Sequence, residues 1–279
     1  MERERTEVEI SHAAYGKDGV RVLTWSRVDG IDTVRDARVS VRVEGDFLAS
    51  YVAGDNAAIL PSDTLRRHAL AAADADPAGA IEALLAALAG RILAANPALI
   101  RVVASAETRE WRRIGDHSFV LGPWRGSADA RLDRTGVARL RGGVRGLELL
   151  STTGSGFTGF MRDDLTTQAE ASDRPLCGTL DADWTYREGR RPAAGSAATI
   201  VGRLTAAFAD RSSNAVQQLL TDVGRDVLGT SGELATISLH FESIPAAPIP
   251  AGLSAPGAGS AHELGVGAVG ATDVALRRA

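Results

Sequence analysis

The stretch VRVLTWSRVDGIDTVRDARVSVRVE, residues 20–44, decides the fold class of this chain. Strand-forming residues alternate or run through 20–25 and 34–44, a pattern typical of half-buried strands. Between these segments, residues 29–32 (Asp-Gly-Ile-Asp) have the composition of a turn. The stretch therefore predicts a β-hairpin, and its apolar face must be covered by elements further along the chain.

Two helices are predicted to follow the hairpin. Residues 64–73 and 80–95 carry apolar side chains at helical spacing, and Pro61-Ser62-Asp63 offers capping groups ahead of the first helix. Strand character returns at 100–105 and 118–121. The first half of the chain is thus predicted to run strand, strand, helix, helix, strand, strand.

The second half of the chain repeats this order. Strands are predicted at 144–151, 176–186, 234–241 and 274–277, and helices at 196–209 and 214–228. The repeat places a domain boundary at Arg141-Gly142-Gly143, between an N-terminal domain of residues 1–141 and a C-terminal domain of residues 142–279. One large domain is also compatible with 279 residues. The Ala-, Pro- and Gly-rich segment 245–259 is predicted to be a loop.

Composition excludes several classes of function. A net charge of −4 and a pI near 5.8 argue against a nucleic-acid or anionic-membrane partner. No apolar run is long enough to cross a bilayer and no secretory signal is evident, so a cytoplasmic protein is expected. Cys177 is the only cysteine, which excludes an internal disulfide. The five histidines lack metal-ligand spacing, and no metal is expected; they are His12, His68, His117, His240 and His262.

Lys17 is the only lysine among 31 basic residues. Lysine can lose its proton near neutral pH when it is desolvated and then act as a general base, whereas arginine cannot. A composition that favours arginine but keeps one lysine makes Lys17 a candidate catalytic residue. The alternative is that Lys17 is a chance survivor at the end of a strand.

Three further segments carry possible site residues. The first, residues 50–56 followed by 59–64, is predicted to form a strand, a turn and a strand that end on a hydroxyl and a carboxylate at a helix start. The second runs from Thr152 to Thr167 and on through 172–174 and 180–186, and the third, Asn214-Ala215-Val216-Gln217, opens a predicted helix.

Together with Tyr15-Gly16-Lys17, these segments resemble the urate oxidase (uricase) family in order and spacing, over nearly the whole chain. The resemblance implies an α+β fold of two tandem tunnelling-fold (T-fold) domains, whose antiparallel sheets and paired helices assemble into barrels. It implies a homotetramer with active sites between subunits. It also implies cofactor-free oxidation of urate by dioxygen and water to 5-hydroxyisourate and hydrogen peroxide.

The resemblance assigns substrate contacts to four residues. Phe157 is expected to lie flat against the purine, Arg174 and Gln217 to grip its edges, and Val216 to offer its backbone. An oxidised purine is a planar, acidic ring system with carbonyls and N–H groups on its rim, which suits an aromatic platform, a guanidinium fork and an amide. Taken singly, each side chain also has an ordinary structural explanation.

Proton handling is assigned to residues of a neighbouring subunit. Lys17 and Ser62 are expected to withdraw a proton through the hydroxyl, and Asp63 to shape the same corner. The family's usual threonine is Ser62 here, which keeps the hydroxyl.

The last strand departs from the family pattern more seriously. A Pro-Asn-Lys-His segment of the family corresponds to Glu242-Ser243-Ile244-Pro245, so the asparagine that contacts dioxygen or water is Ser243 and the relay histidine is Pro245. Neither His240 nor His262 is a secure replacement. Two alternatives therefore stay open: a family enzyme acting on a modified purine or similar heterocycle, and a purine-binding relative without catalysis.

Overall fold

The computed structural model describes residues 9–136, 139–248, 262–265 and 268–278. Strands occupy β1 (Tyr15–Val28), β2 (Ile31–Gly45), β3 (Leu99–Arg113), β4 (Phe119–Asp133), β5 (Arg139–Phe157), β6 (Ala171–Tyr186), β7 (Leu234–Ile244), β8 (Ala246–Pro248), β9 (His262–Leu264) and β10 (Gly270–Arg277). Helices occupy α1 (Leu48–Ala53), α2 (Ser62–Ala75), α3 (Ile81–Ala95), α4 (Ser196–Ala209) and α5 (Val216–Thr230).

The opening hairpin is confirmed and extends beyond the predicted strands. β1 and β2 pair antiparallel from Tyr15↔Val43 to Val28↔Ile31. The turn is Asp29-Gly30, and both residues have positive φ values of 51° and 78°. Two-residue turns with positive φ match the right-handed twist of the flanking strands, which is why Asp-Gly is favoured there.

Eight strands form one antiparallel sheet in the order β1-β2-β3-β4-β5-β6-β7-β10. The paired helices cover one face, and alternate residues of β2 such as Val39, Val41 and Val43 are buried in the same core cluster as Leu85 and Leu88 of α3. α4 and α5 cover the second half of the same sheet. The α+β architecture and the doubled strand-helix order are confirmed, and the sheet of one chain is open, with β1 and β10 at its edges.

The strand predicted at residues 50–56 is wrong. The structure has the helix α1 there, and Gly54 ends it in the left-handed conformation with φ 71°. Burial of Phe47 just before α1 anchors this helix to the core, an effect of tertiary packing on a short segment. The predicted capping role of Ser62 and Asp63 is also wrong, because Pro61 holds the N-cap position and the cap has no side-chain hydrogen bond.

Other boundaries shift without changing the order of elements. β3 and β4 run for 15 residues each, far past the strands predicted at 100–105 and 118–121, and α5 begins at Val216, two residues later than predicted. Within the segment predicted as a loop at 245–259, residues 246–248 form β8 and pair with β9, while residues 249–259 lie outside the described part. Among the described residues, none of the helices has the length and hydrophobicity of a membrane-spanning segment.

The two halves of the chain share the sheet through β4 and β5. These strands pair from Arg125↔Arg145 to Arg131↔Arg139. The predicted boundary between residues 141 and 142 falls inside β5. Division into domains 1–141 and 142–279 stays a prediction.

A buried polar chain joins the halves beneath this junction. The Trp184 indole donates to the Tyr186 hydroxyl over 3.0 Å, and that hydroxyl donates to Glu82 Oε1 of α3 over 2.9 Å. Desolvation raises the pKa of the buried Glu82 carboxyl. A Cβ at Gly142 would lie 2.5 Å from Trp184 Nε1 and 2.8 Å from Glu82 Oε1, so only glycine fits above the chain.

Replacing Glu82 by Gln is expected to make the variant gain stability over the wild type as the pH rises. The pKa of Glu82 in the folded state lies above its ordinary value. The protonated carboxyl therefore stabilises the wild type fully at a pH below the pKa of the unfolded state, and this contribution to the unfolding free energy is lost as the pH rises through the pKa of the folded state. Gln keeps an acceptor for Tyr186 but has no charge to bury.

Urea denaturation between about pH 5 and 8 checks this, with the exposed Glu107→Gln as the control. We expect the difference in unfolding free energy between Glu82→Gln and the wild type to grow with pH, and the Glu107→Gln difference to stay flat. A constant offset for Glu82→Gln would contradict the prediction.

Candidate functional site

Lys17 lies near the start of β1, opposite Val41 of β2. The register of the β1–β2 pair shifts between Lys17 and Val20, so the strand is irregular directly after the lysine. Next to it, Asp18 accepts two hydrogen bonds from the Arg42 guanidinium at 2.7 and 2.6 Å, which lowers the pKa of Asp18. Lys17 itself is half-buried.

The buried Phe47 ring organises the surroundings of Lys17. The Tyr15 ring meets it edge-on at 5.1 Å between centroids. The Tyr15 hydroxyl accepts a 2.7 Å hydrogen bond from the Leu60 amide, and the Tyr51 hydroxyl donates to the Ala14 carbonyl over 3.0 Å. These bonds fix the chain two residues before Lys17 to the chain two residues before Ser62, so both lie in one region of the surface.

Ser62 and Asp63 form the first turn of α2, and both are exposed. The Asp63 carboxylate accepts hydrogen bonds of 2.9 Å from both Arg66 and Arg67. Hydrogen bonding from Arg67 and then Arg66 lowers the pKa of Asp63 to about 2. Asp63 is therefore ionised and held along its own helix. We call Lys17, Ser62 and Asp63 the N-terminal group.

Phe157 ends β5 and stacks on Phe160, with centroids 4.6 Å apart and planes 13° apart. The Arg174 guanidinium of β6 lies 5.4 Å from the Phe157 ring centroid. Arg174 Nε is buried and has no hydrogen-bond partner among the described residues. A buried donor without a partner is costly, and such a group beside an aromatic face suits an anionic planar ligand.

The start of α5 is joined to the end of β5. The Gly156 amide donates to the Ser213 carbonyl over 2.8 Å, and the Ser213 amide donates to the Gly154 carbonyl over 2.9 Å. The Asn214 side chain hydrogen-bonds the Thr158 hydroxyl at 3.0 Å. Val216 and Gln217 follow directly at the helix start, and Gln217 is exposed. We call Phe157, Arg174, Val216 and Gln217 the C-terminal group.

The bridging roles of Ser213 and Asn214 were not predicted from the sequence, although Asn214 begins the segment that opens the predicted helix. A hydroxyl and an amide directly ahead of a predicted helix were the available signal, because such side chains bind neighbouring backbone groups. The role of Phe160 was missed too, although it lies three residues after Phe157. Gly156 shows how tight the junction is, because a Cβ there would collide with Asn214 Oδ1.

One chain keeps the N-terminal and C-terminal groups far apart. Lys17 lies on β1, four strand spacings from β5, which is about 19 Å across the sheet. Since β1 and β5 run in the same direction within the antiparallel order, the start of β1 and the end of β5 also lie at opposite ends of the sheet. The structure thus brings together the members of each group, and it does not bring the two groups together within one copy.

Ser243 lies near the end of β7, between Gly178 of β6 and Gly270 of β10. Its hydroxyl donates to the Gly270 carbonyl over 3.1 Å. The Pro245 carbonyl accepts from the Gly265 amide over 3.0 Å. Because β7 is antiparallel to β6, this corner lies at the same end of the sheet as Arg174.

His240 is held between two carboxylates. Its Nδ1 lies 2.7 Å from Asp273 Oδ1 and its Nε2 lies 3.6 Å from Glu242 Oε1. Hydrogen bonding to Asp273 is the main cause that raises the pKa of His240. This geometry is that of a half-exposed histidine in a surface ion-pair cluster.

Comparisons with known proteins match both halves of the chain. Residues 13–129 and 140–263 match the family model described as Uricase. The uricase of Arthrobacter globiformis is 31% identical over 243 residues, covering 85% of this chain and 78% of the relative. Uricase-2 isozyme 2 of Canavalia lineata is 31% identical over 180 residues, and the match spans 62% of this chain and 60% of that protein.

Solved structures give the same result. The crystal structure of the uricase from Arthrobacter globiformis superposes with a TM-score of 0.86 at 27% identity, over 98% of this chain and 96% of that chain. The urate oxidase of Bacillus sp. TB-90 superposes with a TM-score of 0.82 at 19% identity, over 95% of this chain and 100% of that one, which bears on the fold alone. The predicted α+β tunnelling fold is confirmed.

Replacing Tyr15 by Phe is expected to destabilise the protein by about 1 kcal/mol or more, because the half-buried Leu60 amide loses its acceptor. Tyr51→Phe is the matched control, since its hydroxyl serves the Ala14 carbonyl at an exposed position where water can replace it. Urea denaturation of both variants measures the difference. Equal losses for the two variants would show that the Tyr15–Leu60 bond does not hold this region together.

Proposed function

This chain belongs to the uricase family, and from that premise we propose that it is a urate oxidase that needs no cofactor. Urate, dioxygen and water give 5-hydroxyisourate and hydrogen peroxide. Urate loses two electrons and gains one oxygen atom, and dioxygen takes the two electrons with two protons. The urate anion is itself electron-rich enough to reduce dioxygen, so the protein has to supply position, charge stabilisation and a path for protons.

The observation that carries the proposal is the buried, unpartnered Arg174 Nε beside the Phe157 ring. A guanidinium with a buried, unsatisfied donor is suited to bind an anion in the plane of its N–H groups. Phe157, held in place by Phe160, offers the face on which a purine stacks. Gln217 adds an exposed amide that both donates and accepts.

Lys17 and Ser62 are proposed as the proton-handling pair, with Asp63 shaping their corner. They lie too far from Phe157 to act on a purine bound to the same copy, which supports active sites between subunits. We therefore propose a homotetramer in which each site combines the N-terminal group of one copy with the C-terminal group of another. The unpaired sheet edges β1 and β10 are compatible with closure of barrels between copies. We also propose a cytoplasmic location.

Ser243 favours a second candidate, a family enzyme that acts on a modified purine or similar heterocycle. Its hydroxyl is engaged by the Gly270 carbonyl, and Pro245 has no side-chain proton to relay. A purine-binding relative without turnover is the third candidate. Absorbance at the urate band, followed with and without dioxygen, separates turnover of urate from binding alone: dioxygen-dependent loss of urate supports oxidation, and binding without loss supports the third candidate.

Lys17→Arg tests the proposed proton chemistry. Arginine keeps the charge but cannot act as a neutral base, so urate oxidation is expected to fall by about a hundredfold or more with the assembly intact. Arg112→Lys, an exposed exchange on β3, is the control and should retain activity. Dioxygen consumption with urate and sedimentation velocity measure the two properties. A fully active Lys17→Arg protein would remove Lys17 from the mechanism.

The pair Ser243→Asn with Pro245→His tests the departure near β7. If these positions leave the proton path incomplete, the wild type binds urate but turns it over slowly, and the double variant should raise kcat by about tenfold or more. Each single variant serves as a control, because the relay needs both groups. Fast turnover by the wild type, together with loss of activity on substituting His240 or His262, would show instead that a histidine elsewhere completes the path.

A further inference from the structure

Phe157 and Phe160 form the centre of a column of four planar groups. Their rings are stacked, with centroids 4.6 Å apart and planes 13° apart, so each ring covers one face of the other. The Arg162 guanidinium lies over the Phe160 ring, 4.8 Å from its centroid, and the Arg174 guanidinium lies 5.4 Å from the Phe157 centroid. Since the inner faces are covered, Arg162 lies on the outer side of Phe160 and Arg174 on the outer side of Phe157.

The carboxylates closest in sequence to Arg162 are engaged by the backbone of their own loop. Asp163 Oδ1 accepts a hydrogen bond of 3.0 Å from the Leu165 amide. Glu170 Oε1 accepts one of 3.1 Å from the Gly159 amide. These contacts order the loop between β5 and β6 and leave the Arg162 guanidinium on the Phe160 ring, where a cation–π contact holds it.

The surroundings of the column are acidic, which is unfavourable for an anionic ligand. Residues 157–174 contain four carboxylates and two guanidinium groups, a net charge of −2; they are Asp163, Asp164, Glu170 and Asp173 against Arg162 and Arg174. The face of an aromatic ring is also the negative end of its quadrupole. An anion that stacks on Phe157 is therefore repelled by the ring face and by these carboxylates, and it needs positive charge on both sides of the column.

We propose that Arg162 is a specificity-determining residue: its charge, held behind the Phe160 ring, favours an anionic purine over a neutral one on the outer face of Phe157. The inference rests on the proposed function in one respect, the place where the purine stacks. Arg174 lies beside that outer face and is suited to contact the ligand directly. Arg162 lies on the far side of both rings and acts through space, without touching the ligand.

The size of the effect follows from the spacing of the column. A purine stacked on the outer face of Phe157 lies about 12 Å from the Arg162 guanidinium, because two stacked rings separate them. At that distance the attraction between unit charges changes binding by a factor of about two to ten, for effective dielectric constants from about 80 down to about 20. Arg162 is exposed, so we expect about threefold.

Salt separates a charge that acts at this distance from a packing contact. The Debye length is about 30 Å at 0.01 M ionic strength and about 3 Å at 1 M, so the contribution of Arg162 is present in the first condition and screened in the second. Packing of the Arg162 side chain on Phe160 does not depend on salt in this way. The ratio of dissociation constants between a variant and the wild type also cancels effects of salt that both proteins share.

Equilibrium dialysis of urate without dioxygen, at 0.01 M and 1 M sodium chloride, tests the proposal. We expect Arg162→Gln to raise the dissociation constant by about threefold at the lower salt concentration and to match the wild type at the higher one. Arg162→Lys keeps the charge and should bind as the wild type does. Arg191→Gln removes an exposed charge beyond the far end of β6, about 40 Å from Arg174, and should leave binding unchanged.

A neutral ligand provides a further control. Hypoxanthine is a purine of similar size that is uncharged at neutral pH, and Arg162→Gln and the wild type should bind it alike. A loss of urate binding in Arg162→Gln that persists at 1 M salt and recurs in Arg162→Lys would show that the side chain acts by packing and would overturn the proposal. Unchanged urate binding by Arg162→Gln at 0.01 M would overturn it as well.

Dioxygen consumption by the wild type separates this inference from the proposed function. A salt-dependent loss of urate binding in Arg162→Gln, with no oxidation of urate by the wild type, would leave the role of Arg162 standing and reject the proposed activity. Oxidation by the wild type with equal urate binding in Arg162→Gln would do the reverse. A wild type that does not bind urate would reject both.

Discussion

The pairing of β4 with β5 is the constraint on which the rest of the structure depends. It merges two copies of the same strand-helix pattern into one eight-stranded antiparallel sheet, so the position of every later strand is fixed relative to β1. The junction tolerates no side chain at Gly142, because the Trp184 indole and the Glu82 carboxyl fill that space. The hydrogen-bonded chain from Trp184 through Tyr186 to Glu82 also joins a helix of the first half to a strand of the second.

The continuous sheet separates the two groups of candidate site residues within one copy. Residues that the family resemblance groups into one active site are held at opposite ends of the sheet within a copy. Each group is locally well built: Phe47 with Tyr15 supports the surroundings of Lys17, and Ser213 with Asn214 supports the surroundings of Phe157. Rigid support of two incomplete groups is the arrangement expected when a site is completed by association, because each copy presents preorganised surfaces and little ordering remains to be done.

Arg174 Nε, which has no hydrogen-bond partner among the described residues, and the exposed side chains of Met161 and Leu165 after β5 illustrate the same physical principle. A buried donor without an acceptor and an ordered apolar turn in water are both unfavourable in the isolated chain, and each becomes favourable with the right occupant. The anionic substrate proposed above would give the buried donor of Arg174 an acceptor. By contrast, the Asp63 carboxylate and the His240 imidazole are already hydrogen-bonded within the chain, the first to Arg66 and Arg67 and the second to Asp273.

The sequence by itself determined the order of the eight sheet strands and the four long helices, the Asp-Gly turn, the helix at 196–209 and the family. Periodicity, turn chemistry and motif spacing are local properties of the chain, so they can be read without the structure. The sequence did not determine α1, because a six-residue segment next to the buried Phe47 is fixed by packing rather than by propensity. It missed the bridging by Ser213 and Asn214 for a related reason, since their partners on β5 and directly after it lie more than 50 residues away in the chain. Only the tertiary structure decided where Lys17 lies relative to Phe157, because that separation depends on how many strands stand between them and on which way each strand runs.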